Sequence, residues 1–459
     1  MDGYKNNTTY IFIPFRFDEP YTFYKLIETI EKNENWEKVN DEILYMLKYV
    51  ADKIDSSDKK KCQYFHSMVK DSARDRLMIA SPDYWYSTKP RKYNKENIEF
   101  RFQLRSIQLY CFSTTVCIIA FQLHFENNDP LWVSSALFSL KRVSERIIKN
   151  YNLGNCADQM DHISFLDIAK SLMKQAVPSY VFEFFFYAAP STERSNILTC
   201  LEVEEKGDYK RELYYLRRCY DDSYLYTLDN ALDEQEIYAP SQDIIWGISP
   251  EASVCLTCPS EESEDFFHDV FYKNFNSQYL LMYVLLLHQK YVLYMMLTMV
   301  GVRTYTDLKT LEAYREQLIT FEINFMFSCI TEVPQYQIPY ERTCQAFSLQ
   351  RLIEDVREPL LSMSEVRKSD DDNNQKRRED SVDRALFLLA LLGLFSALID
   401  SFDFAKSFFG WFLGGIGIKV VQVLCIAAIF VCLAFVIKNT QSSKKGEPKN
   451  DNKKNRRTD

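Results

Sequence analysis

Apolar residues alternate with polar ones, or cluster in short runs, over the first 260 positions, and recur at spacings of three and four beyond them. A period of two puts one face of a strand on a core, and a period near 3.6 does the same for a helix. Tyr10-Ile11-Phe12-Ile13-Pro14-Phe15 therefore predicts a strand, and Glu19 to Lys32 a helix. A dense β-prone stretch covers 98–125, including Phe100-Arg101-Phe102-Gln103-Leu104 and Thr115-Val116-Cys117-Ile118-Ile119-Ala120-Phe121. Asn127-Asn128-Asp129-Pro130 breaks it, and the spacing that follows predicts a helix over 131–149 with Ser139, Lys141, Arg142 and Glu145 on its wet side. Strand-like pieces return at 223–228 and 252–257. Strands alternating with helices predict an α/β or α+β domain over 1–260.

After 260 the pattern is helical. Ser260 suits an N-cap, and Glu261, Glu262, Glu264 and Asp265 complement the positive end of a helix dipole. Glu261, Glu262, Asp265 and Asp269, with His268, also offer oxygen and nitrogen ligands to a divalent cation, while a solvated helix start explains the same residues without one. The run 279–300 is long enough to cross a bilayer, yet His288-Gln289-Lys290 at its centre would each need a partner there. A buried helix of a bundle or oligomer core is the better reading. Leu349, Leu352, Ile353, Val356, Leu360, Met363 and Val366 describe an amphipathic helix with a kink expected at Pro359. No Gly or Pro interrupts 368–380, so that helix is expected to continue, making 261–384 a helical stalk.

Two apolar runs close the chain, at 385–399 and 420–437. A span needs about 20 residues at a rise of about 1.5 Å to cross roughly 30 Å of hydrocarbon. The first run reaches that length only by including Asp400 and Asp403, and ionisable groups at a span's rim point to function. Leu386, Leu389, Gly393, Ser396, Asp400 and Asp403 follow one another at spacings of 3, 4, 3, 4 and 3, so they share one helix face. In a symmetric oligomer that face would line a pore, with an apolar constriction at Leu386 and Leu389 and acidic rings at the mouth that concentrate cations. The plainer alternative makes Gly393 and Ser396 helix-packing residues and the aspartates the end of a span. Phe408, Phe409 and Trp411 suit an interfacial aromatic belt, and Lys419 and Gln422 suit interfacial positions at the start of the second span. Lys376, Arg377, Arg378 and Arg384 precede the first run, and the tail 438–459 carries eight Lys or Arg against three acids. The positive-inside bias thus predicts a two-span domain at 385–437 in the cell membrane, both termini cytoplasmic, and only a short loop at 404–410 outside.

Composition adds a compartment and removes enzyme classes. The opening residues lack a basic segment followed by an apolar one, so no signal peptide is expected and the N-terminal domain stays cytosolic. Twelve cysteines scattered singly read as buried thiols of a reducing compartment, and Cys255-Leu256-Thr257-Cys258 lacks the second pair a zinc site needs. No glycine-rich phosphate loop, Gly-x-Ser-x-Gly elbow or His-Glu-x-x-His helix occurs, and His66, His124, His162, His268 and His288 are dispersed. An enzyme is not expected.

The architecture resembles the CorA-like magnesium transporter superfamily: a cytosolic α/β domain, a long stalk helix and two C-terminal spans with a tiny loop. Segments similar to divergent bacterial members are Phe12-Ile13-Pro14-Phe15-Arg16-Phe17, Tyr220-Asp221-Asp222-Ser223-Tyr224, Ile245-Trp246-Gly247-Ile248-Ser249, Leu287-His288-Gln289-Lys290 and 321–340 with Glu332-Val333-Pro334-Gln335. The resemblance implies a homo-oligomer, a pentamer in that family, that conducts a cation such as Mg2+ across the lipid bilayer. The Gly-Met-Asn signature that forms the family's ion-selective mouth is absent, with Ser396-Ala397-Leu398-Ile399-Asp400 in its place, which leaves magnesium specificity unsupported. Some relatives lacking it are type III CRISPR-associated membrane effectors opened by a nucleotide second messenger; here such a ligand would sit near Trp246, Arg217 and Arg218. A third reading is a non-conducting, membrane-tethered interaction protein. Neither a covalent cofactor nor direct nucleic-acid binding is expected.

Overall fold

The computed structural model describes residues 5–17, 23–56, 62–149, 162–185, 193–227, 235–302 and 308–409, with 419, 420, 423, 424 and 427 beyond them. The chain divides into two units, Met1–Glu365 and Val366–Asp459. Among the described residues fifteen strands occur: β1 (Asn7–Phe17), β2 (Trp36–Lys38), β3 (Tyr64–Val69), β4 (Trp85–Thr88), β5 (Arg91–Tyr93), β6 (Glu96–Ile98), β7 (Arg101–Phe112), β8 (Val116–Phe125), β9 (Ile147–Lys149), β10 (His162–Ile163), β11 (Phe182–Phe184), β12 (Asn196–Glu202), β13 (Ile237–Ser241), β14 (Ile244–Ile248) and β15 (Ala252–Thr257). The helices are α1 (Phe23–Glu31), α2 (Lys48–Ile54), α3 (Pro130–Leu140), α4 (Phe165–Ala176), α5 (Lys210–Arg218), α6 (Leu280–Val302), α7 (Leu308–Phe325), α8 (Pro334–Ala346) and α9 (Leu349–Phe409).

One large sheet organises the first unit, in the order β10-β9-β4-β7-β8-β1-β12-β15-β14-β13, with β11 on β1 and the β2–β3 ribbon on β7. Its pairs are antiparallel except β12 with β15, which run parallel. Alternation along the central strands builds two cores. In β1, Ile11, Ile13, Phe15 and Phe17 join one core, while Tyr10 and Phe12 join the other. In β8, Cys117, Ile119, Phe121 and Leu123 take the first face, and Val116, Ile118 and Ala120 the second. The parity switches once within β7: Phe102 and Leu104 share a core with Ile107, Leu109 and Cys111. The cause is a bulge, since Leu104 pairs with Leu123 but Ser106 with Gln122, leaving Arg105 as the extra residue. Helices α1, α3, α4 and α5 cover the first face. Apolar residues of α2, α6, α7, α8 and the first turns of α9 pack on the second.

The protein is thus mixed α/β, with a sheet-rich N-terminal region and long helices toward the C-terminus. Helices α6 to α8 form a covering layer of the sheet and belong to the unit Met1–Glu365. The helix expected over 131–149 ends at Leu140, followed by a turn and β9. Ser139 and Lys141, expected on its wet side, are buried. Lys141 Nζ donates to the Arg218 carbonyl (3.2 Å) and pairs with Glu251 Oε2 (3.2 Å), which offsets the cost of burying it. Residues 223–227, expected to start a strand, form a turn and irregular chain.

α9 is continuous through 368–380, as the absence of Gly and Pro there predicted, and it is not interrupted at Pro359. It also runs on to Phe409, so 404–409, expected as a loop, is helical up to the position before Gly410. Trp411, most of the second apolar run and the basic tail lie outside the described residues.

Candidate functional site

Helix α9 holds the six stripe positions Leu386, Leu389, Gly393, Ser396, Asp400 and Asp403 in one unbroken element, so helical periodicity does place them along one face. Leu386 to Asp400 spans about 21 Å along the axis at about 1.5 Å per residue. The flanking residues are apolar all round, with Leu386, Leu388, Leu389 and Leu392 exposed by 58, 61, 64 and 65 %. A Cβ built at Gly393 would meet nothing within 4 Å. Such a surface on a helix of this length needs a cover other than water.

The continuous helical stretch Glu264–Met299, whose main part is α6, is the one, among the described residues, long and apolar enough to cross a membrane, and 83 % of its most apolar window is buried within the chain. Each polar residue at its centre has a protein partner. His288 Nε2 lies 2.7 Å from Thr114 Oγ1, and its ring stacks on Phe112 at 3.8 Å. Gln289 Nε2 donates to the Phe325 carbonyl (2.7 Å) and to Tyr340 Oη (3.2 Å). Lys290 Nζ reaches Asn196 Oδ1 at 3.4 Å and the Pro250 carbonyl at 3.5 Å, and lies 4.3 Å from the centre of the Phe347 ring. Burial holds the His288 imidazole well below its usual range and lowers Lys290 to about 8, the carboxylate of Glu251 opposing the latter shift.

Trp246, Arg217 and Arg218 do not form a ligand site together. Trp246 is 3 % exposed and packs in the second core against Tyr279 (5.3 Å) and Phe275 (6.2 Å). Its neighbour Gly247 faces the other side, where a Cβ would stand 3.0 Å from Leu213 Cδ2 and 3.5 Å from Arg217 Cδ of α5. The sheet therefore separates the indole from the two guanidinium groups. Glu236 Oε2 accepts from Arg217 Nε (2.6 Å) and from Arg218 Nη2 (2.8 Å), so the arginines serve an internal ion pair.

Glu261, Glu262, Asp265 and Asp269 are exposed, as is His268, and helix starts at Glu264 with Ser263 before it. Among the described residues no three His, Cys, Asp or Glu side chains converge as a metal site. Cys255 and Cys258 are buried free thiols, as are Cys111, Cys117 and Cys200. His66 Nδ1 and Tyr64 Oη both engage Asp41, at 2.8 Å and 2.5 Å on separate oxygens, which occupies that carboxylate structurally.

Sequence reasoning missed a cavity of about 850 Å3 bounded by the β7–β8 turn, α6 and α7. Its walls come from residues some two hundred positions apart, and no local motif marks them. No protein-family model, curated protein or solved structure matches the chain.

Proposed function

We propose that the protein is an oligomeric membrane pore of CorA-like architecture that conducts cations. The observation that carries this reading is α9: one continuous helix whose apolar, uncovered stretch bears small and acidic residues along a single face. In this reading 385–409 and the apolar run 420–437 span the bilayer, both termini are cytoplasmic, and further copies of the chain and lipid cover the exposed leucines. Leu386 and Leu389 form the constriction, Gly393 and Ser396 the narrow polar middle, and Asp400 and Asp403 the cation-concentrating rings. The missing Gly-Met-Asn signature argues for limited ion selectivity, with Mg2+ one candidate ion among others.

Gating by a nucleotide second messenger loses the residues first considered for it, because Trp246 and the two arginines are engaged on opposite faces of the sheet. Planar-bilayer recordings test the pore reading. Asp400→Ala with Asp403→Ala is expected to reduce the cation-to-anion permeability ratio several-fold, and unchanged conductance and selectivity would overturn the assignment.

A further inference from the structure

Helices α6 and α7 line the two sides of an open cavity. Val292, Met295, Met296 and Met299 of α6, and Ala313, Gln317, Thr320 and Phe321 of α7, recur at helical spacing and line the same gap. They leave about 850 Å3 open, within the range of small-molecule sites, roughly 300–1,000 Å3. Ala313, Gln317 and Thr320 are exposed, so the gap is an open groove that a small organic guest can enter.

The cavity has an apolar floor and a polar rim. Phe17, Phe321 and Phe325 are each 2 % exposed, and Met295 and Met296 are 8 % exposed. Unbranched methionines adapt to the shape of a guest and make favourable sulfur contacts with aromatic rings. The β7–β8 turn supplies Ser113, Thr114 and Thr115 to the rim. Thr115 holds φ at 72°, an unfavourable backbone for a β-branched residue. Two ties keep the turn there: Thr114 Oγ1 on His288 Nε2, and the Phe17 amide donating to the Thr115 carbonyl at 3.4 Å. Strain held by surrounding structure beside an open cavity is a mark of a preorganised site.

Charge selects the guest. The lining cation, Arg16, is committed to Glu183 at 2.5 Å, and Lys53 near the rim donates to Asn324 Oδ1 at 2.6 Å. Glu316 is exposed at the rim and makes no salt bridge among the described residues. Among the described residues a polyanion would find no uncommitted cation in this lining, whereas a protonated amine would find a carboxylate.

We propose that this cavity binds a small organic amine whose aromatic or branched apolar body sits on the methionine and phenylalanine floor and whose ammonium group meets Glu316. Binding in this cavity does not depend on whether the chain conducts ions, so its test reads binding and not flux.

The experiment uses the full-length protein in lipid nanodiscs and two probes with one body and opposite charge, tryptamine and indole-3-propionate, titrated by saturation-transfer NMR. Tryptamine is expected to bind several-fold more tightly than indole-3-propionate, the order of one solvent-exposed charge pairing. Glu316→Gln should bring the two within about twofold of each other. Met296→Trp, which fills the floor, should abolish binding of both. Thr320→Arg, at the exposed rim of the cavity, should do the same without touching the core. Signals equal to those of empty nanodiscs would overturn the proposal, as would tryptamine binding that survives both Met296→Trp and Thr320→Arg, or no preference between the probes.

Discussion

Burial makes the ammonium of Lys290 easier to deprotonate than in an unfolded chain, lowering its pKa from 10.5 to about 8. The sign of the effect on stability follows from proton counting. Below about 8 the group is charged in both states and its burial cost is constant. Between about 8 and 10.5 the unfolded chain binds the extra proton, so stability rises with pH as that cost disappears. The full change is on the order of 3 kcal/mol. Lys290→Met should therefore flatten the pH dependence of the thermal midpoint over that window and leave the protein at least as stable at neutral pH. Tyr291 Oη still satisfies Asn196 at 2.9 Å in that variant. A midpoint several degrees lower at pH 7.5 would show instead that the ammonium and Phe347 contribute more than burial costs. Glu236→Ala tests the neighbouring ion pair: it removes the carboxylate facing fully buried Arg217 and should cost about 3 kcal/mol in denaturant unfolding. A change under about 0.5 kcal/mol would mean that the other contacts of Arg217 carry it.

At the scale of elements, Pro359 is the informative residue of α9. A proline inside a helix lacks the amide that would donate to the previous turn, at a cost of up to about 3 kcal/mol. Pro359→Ala should raise the urea midpoint, and a lower midpoint would mean that the proline sets a bend the packing of α9 requires. The elements themselves were legible to different degrees. β1, β7, β8 and β15 showed in the alternation of their residues because both faces of the sheet are covered by helices, which makes apolar runs dense. The helical continuity of 349–380 showed in the lack of glycine and of breakers other than Pro359. What local pattern missed depends on distant partners. Lys141 looks like a solvent-facing polar residue until Arg218 and Glu251 arrive from positions 77 and 110 residues away. The polar centre of α6 was readable as a sign of burial, but not the identity of its partners, which come from the β7–β8 turn, β12, α7, α8 and the β14–β15 turn. The stripe on α9 was legible because a single helix carries all of it. The cavity was not, because β1, the β7–β8 turn, α6 and α7 each contribute only part of its lining.

For the whole molecule, the two units differ in what their surfaces require. Residues 1–365 hold both faces of the sheet under helices, so this part should remain monodisperse in buffer without detergent when the chain is cut after Glu365. Aggregation of that fragment in size-exclusion chromatography would indicate that 366–459 contributes to its cover. The second unit carries exposed leucines that water does not suit, and the pore reading assigns their cover to lipid and to further copies. That reading is the central claim, and ion flux into liposomes carrying the purified full-length protein tests it most directly, with magnesium, sodium and potassium compared in turn. The account predicts cation flux that falls when Asp400 and Asp403 are replaced together by alanine. Intact oligomers that pass no ion under any of these conditions would contradict it and leave a membrane-tethered interaction protein as the better description.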